Sequence, residues 1–319
     1  MTAPSHSSDR APVFLFGALR SGTTVFRLML NAHDKIGNPG EMDFLFDYLD
    51  RDPNHATGWR YRVADLENSR IFRATGLTIT PGCEGLDLLE SFLDQLQERQ
   101  PGKLLSINLH RNIGRVADVL PRARIIHMLR DPRDVARSSI GMGWAGTLYH
   151  GVEHWIGTER DWDATAPRFP ADQVLTLTYE DLFRDIDTTL RRVCDFLGVP
   201  FTEAMLSYHE NTTYSPPDVS LVEQWRRKST PRELALVEGR VQAMMLARGY
   251  QPTGPGAAPG VVERLALTLQ NKRHVWGVGI SRFGARIFLM EKLARKLGLR
   301  GLHQRLRAQM NEMSVEYLK

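Results

Sequence analysis

The chain has 319 residues, 42% of them hydrophobic and 24% charged, with a formal net charge of +4. That length suffices for one large α/β domain with a substantial core plus an appendage, and the composition is that of a globular chain rather than a disordered or fibrous one. The two cysteines, Cys83 and Cys194, lie far apart and form no CxxC or metal-ligand pattern, which argues against a disulfide framework or a metal site and fits a reducing compartment.

The leader, residues 1–12, is polar and lacks the apolar core of a secretory signal. No stretch anywhere is apolar for the length a membrane crossing needs, so a soluble, cytoplasmic protein is expected. Val13–Phe16 reads as a short buried parallel strand, followed by the loop GALRSGTT and a helix over VFRLMLNAH. Residues 41–85 show no clear periodicity. Leu86, Leu89, Leu93 and Leu96 recur at helical spacing and predict an amphipathic helix over Leu86–Arg99. Further strands are predicted at Lys103–Asn108, Arg124–Leu129 and Val174–Tyr179. Helices are expected from the Asp131-Pro132 turn through Ile140, and over Thr188–Leu197 with Gly198 as its stop. Strands alternating with helices imply an α/β fold, three layers deep, with a mostly parallel central sheet.

The stretch QPTGPGAAPG at 251–260 has the composition of a linker. It divides the chain into a domain over 1–250 and a C-terminal helical appendage over 261–319. The appendage holds 12 Lys/Arg against 4 Asp/Glu, whereas residues 1–260 are net acidic. A nucleic-acid binder is therefore not expected, because the basicity is confined to the tail and no aromatic-basic platform accompanies it. Within that tail IFLMEKLARKLGL mixes apolar residues with Lys292, Arg295 and Lys296. Such a basic amphipathic helix suits an anionic membrane surface, or an arm packing on the domain or on a second subunit of a homo-oligomer.

The segment Gly17–Thr24 carries the most chemistry. A strand, a Gly-containing loop and a helix start make an anion site, in which backbone N–H groups and the helix dipole converge on a phosphate. Gly17 and Gly22 fit the P-loop pattern GxxxxGK[ST], yet Thr23 stands at the lysine position. The cation comes earlier, at Arg20, which suits a short phosphosulfate better than a magnesium-bound triphosphate.

With its apolar strand, RSGTT resembles the 5′-phosphosulfate loop of the sulfotransferases that use 3′-phosphoadenosine 5′-phosphosulfate (PAPS), in particular the tyrosylprotein and bacterial branch. The resemblance spans residues 12 to 250 and implies a P-loop-type fold, with Arg20, Ser21, Gly22, Thr23 and Thr24 holding the 5′ group. It implies a second phosphate site at Arg130, which ends a strand, and Ser138, eight residues on, together gripping the 3′-phosphate. LTLTYEDL is similar to the family's strand element whose tyrosine lies near the nucleotide, here Tyr179. VEQWRRKSTPREL resembles its closing segment, which brings Arg226 and Lys228 toward the phosphates. The reaction implied is in-line transfer of the sulfuryl group to an acceptor hydroxyl on a small molecule, a lipid or a glycolipid, with no metal required.

Two residues compete as the catalytic base. Glu41, in NPGEM, matches the catalytic glutamate of the tyrosylprotein-type branch, and His110, in SINLHRN, is the rival by analogy with cytosolic members. Glu41 is preferred, with Arg20 neutralising the leaving oxygen. Many relatives also carry a lysine at the end of that strand; counting back from Arg130 lands on Leu105, which leaves Lys103 or Arg111 as substitutes, or Arg20 acting alone. That departure keeps open a catalytically silent nucleotide-binding regulator, and the P-loop scaffold keeps open a kinase. Residues 41–105 and 140–170, with His150, Glu153, His154 and Trp155, are expected to shape the acceptor pocket.

Overall fold

The computed structural model describes residues 12–212, 214–216 and 218–316; all but the last residue of the polar leader lies outside them. Those residues form two compact units that do not follow chain order. The first comprises the chain up to Asp131 together with His154–Arg227, and the second Pro132–Glu153 together with Lys228 onward.

The first unit is built on a five-stranded parallel sheet. Its strands are β1 (Val13–Phe16), β2 (Ile36–Gly37), β5 (Leu104–Leu109), β6 (Arg124–Leu129) and β7 (Val174–Thr178), in the order β2-β5-β1-β6-β7. Between β2 and β5 the chain adds a small antiparallel pair, β3 (Leu49–Arg51) and β4 (Trp59–Tyr61). Every residue of β1 is fully buried, because the strand is flanked by β5 and β6 and covered on both faces. Its side chains alternate between two cores. Phe14 and Phe16 join Ile107, Leu109, Ile125 and Trp162 on one face; Val13 and Leu15 join Phe26, Met29, Ile126 and Met128 on the other. The helix Gly85–Glu98 contributes Leu88, Leu89 and Phe92 to the first core, while Thr23–Asn31 and Ile186–Leu197 contribute to the second. The unit is thus the three-layer α/β fold that the alternation of strands and helices predicts.

This strand order places the switch in chain direction at β1, where its neighbours belong to opposite-going excursions of the chain. A crevice then opens at the carboxyl ends of β1, β5 and β6. The loop after β1 and the loop after β5 meet there, since Gly17 N–H donates to Leu109 O.

The second unit is helical, with Pro132–Gly141, Pro231–Ala247, Val261–Phe283, Ala285–Lys296 and Arg300–Glu316 as its long elements. Pro231–Ala247 starts on a capping box between Thr230 and Glu233. Its Glu238 is fully buried and pairs with buried Arg133 at 2.7 Å. The proline- and glycine-rich stretch 251–260 has neither helix nor strand, but it is strapped down. Thr253 N–H and hydroxyl donate to Glu238, Gln251 O accepts from Arg133, and Ala257 N–H donates to Ala235 O at 2.7 Å. No helix of the described residues is long and apolar enough to cross a membrane.

Candidate active site at the carboxyl edge of the sheet

The loop from Gly17 to Gly22 leaves β1 by two left-handed residues, Arg20 at φ 73° and Gly22 at φ 86°. Glycine is required at the second. A Cβ there would lie 2.3 Å from Cδ2 of Tyr179, whose ring closes over the backbone. Tyr179 is buried at the start of the helix Tyr179–Arg184, and the Arg130 guanidinium lies over its ring at 3.9 Å. Arg130, at the end of β6, also donates from Nη1 to Arg20 O at 2.9 Å and from Nη2 to Leu221 O at 3.1 Å. Trp155 Nε1 in turn donates to Arg130 O, and Leu19 O takes a 3.2 Å contact from the ring of His154. Loop, guanidinium and tyrosine ring therefore form one packed cluster. The Arg20 guanidinium is held below its ordinary pKa by desolvation and then by the neighbouring Arg130 cation.

Two polar atoms in this cluster are informative. Ser21 Oγ and Arg130 Nε are buried and, among the described residues, have no hydrogen-bond partner. A buried hydroxyl and a buried guanidinium N–H with unmet capacity, at a strand–loop–helix turn, fit an anionic phosphate-type group. Thr23 is buried and Thr24 half-buried at the first turn of Thr23–Asn31.

The second part of the site comes from the loop after β2. Gly40, at φ 104°, turns the chain so that Glu41 bridges Asn108 at the end of β5, with Met42 N–H donating to Asn108 O and Asn108 N–H to Gly40 O. Buried Asn38 braces this turn. Its Oδ1 accepts from Gly40 N–H, and its Nδ2 donates to Ser106 Oγ at 2.8 Å and Asn108 Oδ1 at 3.1 Å. These polar positions within β5 are thereby satisfied rather than stranded.

Glu41 and His110, rivals in the sequence, are brought together. His110 is buried, and its Nδ1 lies 2.8 Å from Gly17 O. A carbonyl only accepts, so Nδ1 carries the hydrogen, and Nε2 faces Glu41 Oε1 at 3.6 Å. Buried Asp43 accepts from the His110 backbone N–H at 2.8 Å. Burial opposes a charge on His110, yet the Glu41 and Asp43 carboxylates outweigh it and raise the imidazole's pKa. In return, the contact with His110 holds the Glu41 carboxyl below its usual range despite some desolvation. Burial pushes Asp43 the other way, upward.

Lys103 precedes β5 and Leu105 lies near its amino end, about 20 Å and about 13 Å of strand from the crevice end at Leu109. Arg111 sits at the crevice end, where it donates to Asp47 Oδ1 at 2.7 Å and reaches Asp43 Oδ2 at 3.5 Å. Arg226 forks onto Glu223 and lies over Trp225. Ser138 lies on Pro132–Gly141 and Lys228 ends Trp225–Lys228; both belong to the second unit. Trp155 is a buried brace, His150 contacts Thr147 Oγ1, and Glu153 pairs with Arg240. Sequence reasoning overlooked Asn38, Asp43 and Asn108, whose only signal is polarity inside otherwise apolar runs. It also overlooked Arg27, a turn into the helix after the loop, whose charge helps to lower Glu41. Among the described residues no group of three or more His, Cys, Asp or Glu side chains is placed to hold a metal ion.

The family model for the sulfotransferase family matches residues 12–203. The chain belongs to the sulfotransferase family. Curated relatives include an uncharacterised protein of Aquifex aeolicus, 23% identical over 70% of this chain and 31% of its own length. Cytosolic sulfotransferase 14 of Arabidopsis thaliana is 27% identical over 38% of this chain and 33% of its own length. The chain thus spans about a third of the length of these two curated relatives. Among solved structures, the sulfotransferase domain of the curacin biosynthetic pathway aligns with a TM-score of 0.54 at 17% identity, covering 76% of this chain and 98% of that domain. The sulfotransferase domain of the Synechococcus PCC 7002 olefin synthase aligns with a TM-score of 0.51 at 23% identity, covering 75% and 98%. Both likenesses bear on the fold of this sulfotransferase-family chain.

Proposed function

We propose that the protein transfers the sulfuryl group of PAPS to an acceptor hydroxyl, on a small molecule or a lipid. The observation that carries this reading is the cluster at the carboxyl edge of the sheet: a phosphate-type loop with Arg20, the loop-bound guanidinium of Arg130, and the Glu41–His110 pair beside them. The nucleotide supplies an activated sulfuryl group on a phosphate leaving group. The loop amides, Ser21, Thr23 and Thr24 hold that 5′ end, and Arg130, over Tyr179, holds a further phosphate with Ser138 as the family's second ligand.

Glu41 accepts the acceptor hydroxyl's proton as the new oxygen–sulfur bond forms and the bond from sulfur to the phosphate oxygen breaks. His110, pinned through Nδ1–H to Gly17 O, fixes the direction of Nε2 toward that carboxylate and ties the base to the phosphate loop. Arg20 neutralises the charge that grows on the leaving oxygen. We assign Arg226 and Lys228 to the nucleotide's outer phosphate and Arg111 to the part of the family lysine; the position of Arg111 at the crevice end of β5, beside Asp47, supports the latter.

Calorimetric titration with 3′-phosphoadenosine 5′-phosphate tests the reading, alongside ATP·Mg²⁺ and an Arg130→Ala/Ser138→Ala variant of checked thermal stability. Binding that the variant loses by at least about tenfold, with ATP ignored, is expected from the loss of charge-assisted bonds. A preference for ATP·Mg²⁺ would replace the reading with a kinase. Binding without transfer to any acceptor in a labelled-sulfate screen would leave a silent nucleotide-binding regulator.

A further inference from the structure

The helical tail of the second unit presents a surface that the transfer chemistry does not use. In Ala285–Lys296, Phe288, Glu291 and Ala294 are buried, and Phe288 packs edge-on against Trp276 with its ring against Gly279. One face is therefore already covered from within the unit. The opposite face exposes Leu289 at 43%, Leu293 at 56% and Leu297 at 61%, one helical turn apart, with Met290 beside them and Arg286 and Lys296 flanking. Val261–Phe283 repeats the pattern, with Val262, Leu265 and Leu269 exposed and Lys272 and Arg273 next along.

Charge identifies the occupant. Residues 264–311 contain eleven Lys/Arg and a single acidic residue, Glu291. That carboxylate is itself buried, bridged to Lys292 and His303 at 3.1 Å each. The open groove of about 710 Å³ in the same unit, lined by Gln270, Arg273, His274, Ser281 and Arg282 among others, has no acidic residue in its wall. A second copy of this surface would meet its own positive charge, and a nucleic acid would leave the leucines in water. Leucine ridges between lysines and arginines match a surface that is anionic at the headgroups and apolar just beneath.

We propose that the tail docks this protein on anionic lipid bilayers, the Leu289/Leu293/Leu297 ridge entering the interface and the flanking cations meeting the headgroups. The docking is in-plane and independent of sulfuryl transfer.

Flotation of the full chain with phosphatidylglycerol-containing vesicles and with pure phosphatidylcholine vesicles tests it. Co-flotation with the anionic vesicles alone is expected, weakened by raised salt. Leu289→Gln/Leu293→Gln/Leu297→Gln should reduce it by at least about tenfold while melting temperature and nucleotide binding stay unchanged, since these side chains already face water. Arg295→Glu/Lys296→Glu/Arg300→Glu should abolish it. The proposal is overturned if the leucine variant floats as well as the parent, if neither vesicle binds the parent, or if light scattering shows a dimer that the leucine variant disrupts.

Discussion

In the proposed reaction His110 acts through its neighbours. Its Nδ1–H is committed to Gly17 O, so only Nε2 can respond to Glu41, and the pair shifts in opposite directions, the imidazole up and the carboxylate down. The sign follows. As the proposed base, Glu41 must be ionised to accept a proton, and contact with His110 keeps it ionised to lower pH than an ordinary glutamate. Removing the imidazole leaves burial as the main remaining influence, which moves the carboxyl upward. His110→Asn should therefore shift the acid limb of the kcat/KM profile to higher pH and lower kcat by roughly 10²-fold, with the KM for nucleotide little changed. An unshifted limb would separate His110 from the base. The sequence singled out both residues but set them up as alternatives, because nothing in NPGEM or SINLHRN tells that the chain brings them within 3.6 Å. That distance arises from the Glu41–Asn108 bridge, a long-range pairing with no local signature.

At the scale of the element, the strand–loop–helix turn over Gly17–Thr24 was legible because strand, loop glycines and helix start are adjacent in sequence. The strands Val13–Phe16 and Arg124–Leu129 were readable for the same local reason, four and six residues of nearly continuous apolar character. The two-residue β2 and the three-residue β3 and β4 were not, since such lengths cannot show a period of two. Nor was the role of Tyr179 as the lid of the loop, which depends on β7 lying two strands from β1. That contact gives Gly22 a test. Gly22→Ala adds a methyl at a left-handed position and drives it into the Tyr179 ring, at a cost of roughly 1–3 kcal/mol. Thermal denaturation should show the loss, and nucleotide binding should fall with it. A Gly22→Ala/Tyr179→Ala pair should recover part of the stability but not the binding.

At the scale of the whole molecule, composition showed that the tail is basic and helical, but not which side of it is covered. Burial of Glu291, Phe288 and Ala294 decides that, and it is set by helix packing rather than by any motif. The stretch 251–260 shows a different limit of composition. Proline and glycine suggested a free connector, whereas Glu238 and the Ala235 carbonyl hold it against a helix.

The left-handed backbone of Arg20 has one more consequence. A side chain with a Cβ disfavours that conformation by about 1–2 kcal/mol, so the loop keeps its cation at the expense of folding stability. Arg20→Gly should abolish the proposed transfer and yet hold or raise the melting temperature in differential scanning calorimetry. If the proposed transfer is what selection maintains, copies released from it would then drift toward glycine at position 20, becoming more durable as they fall silent.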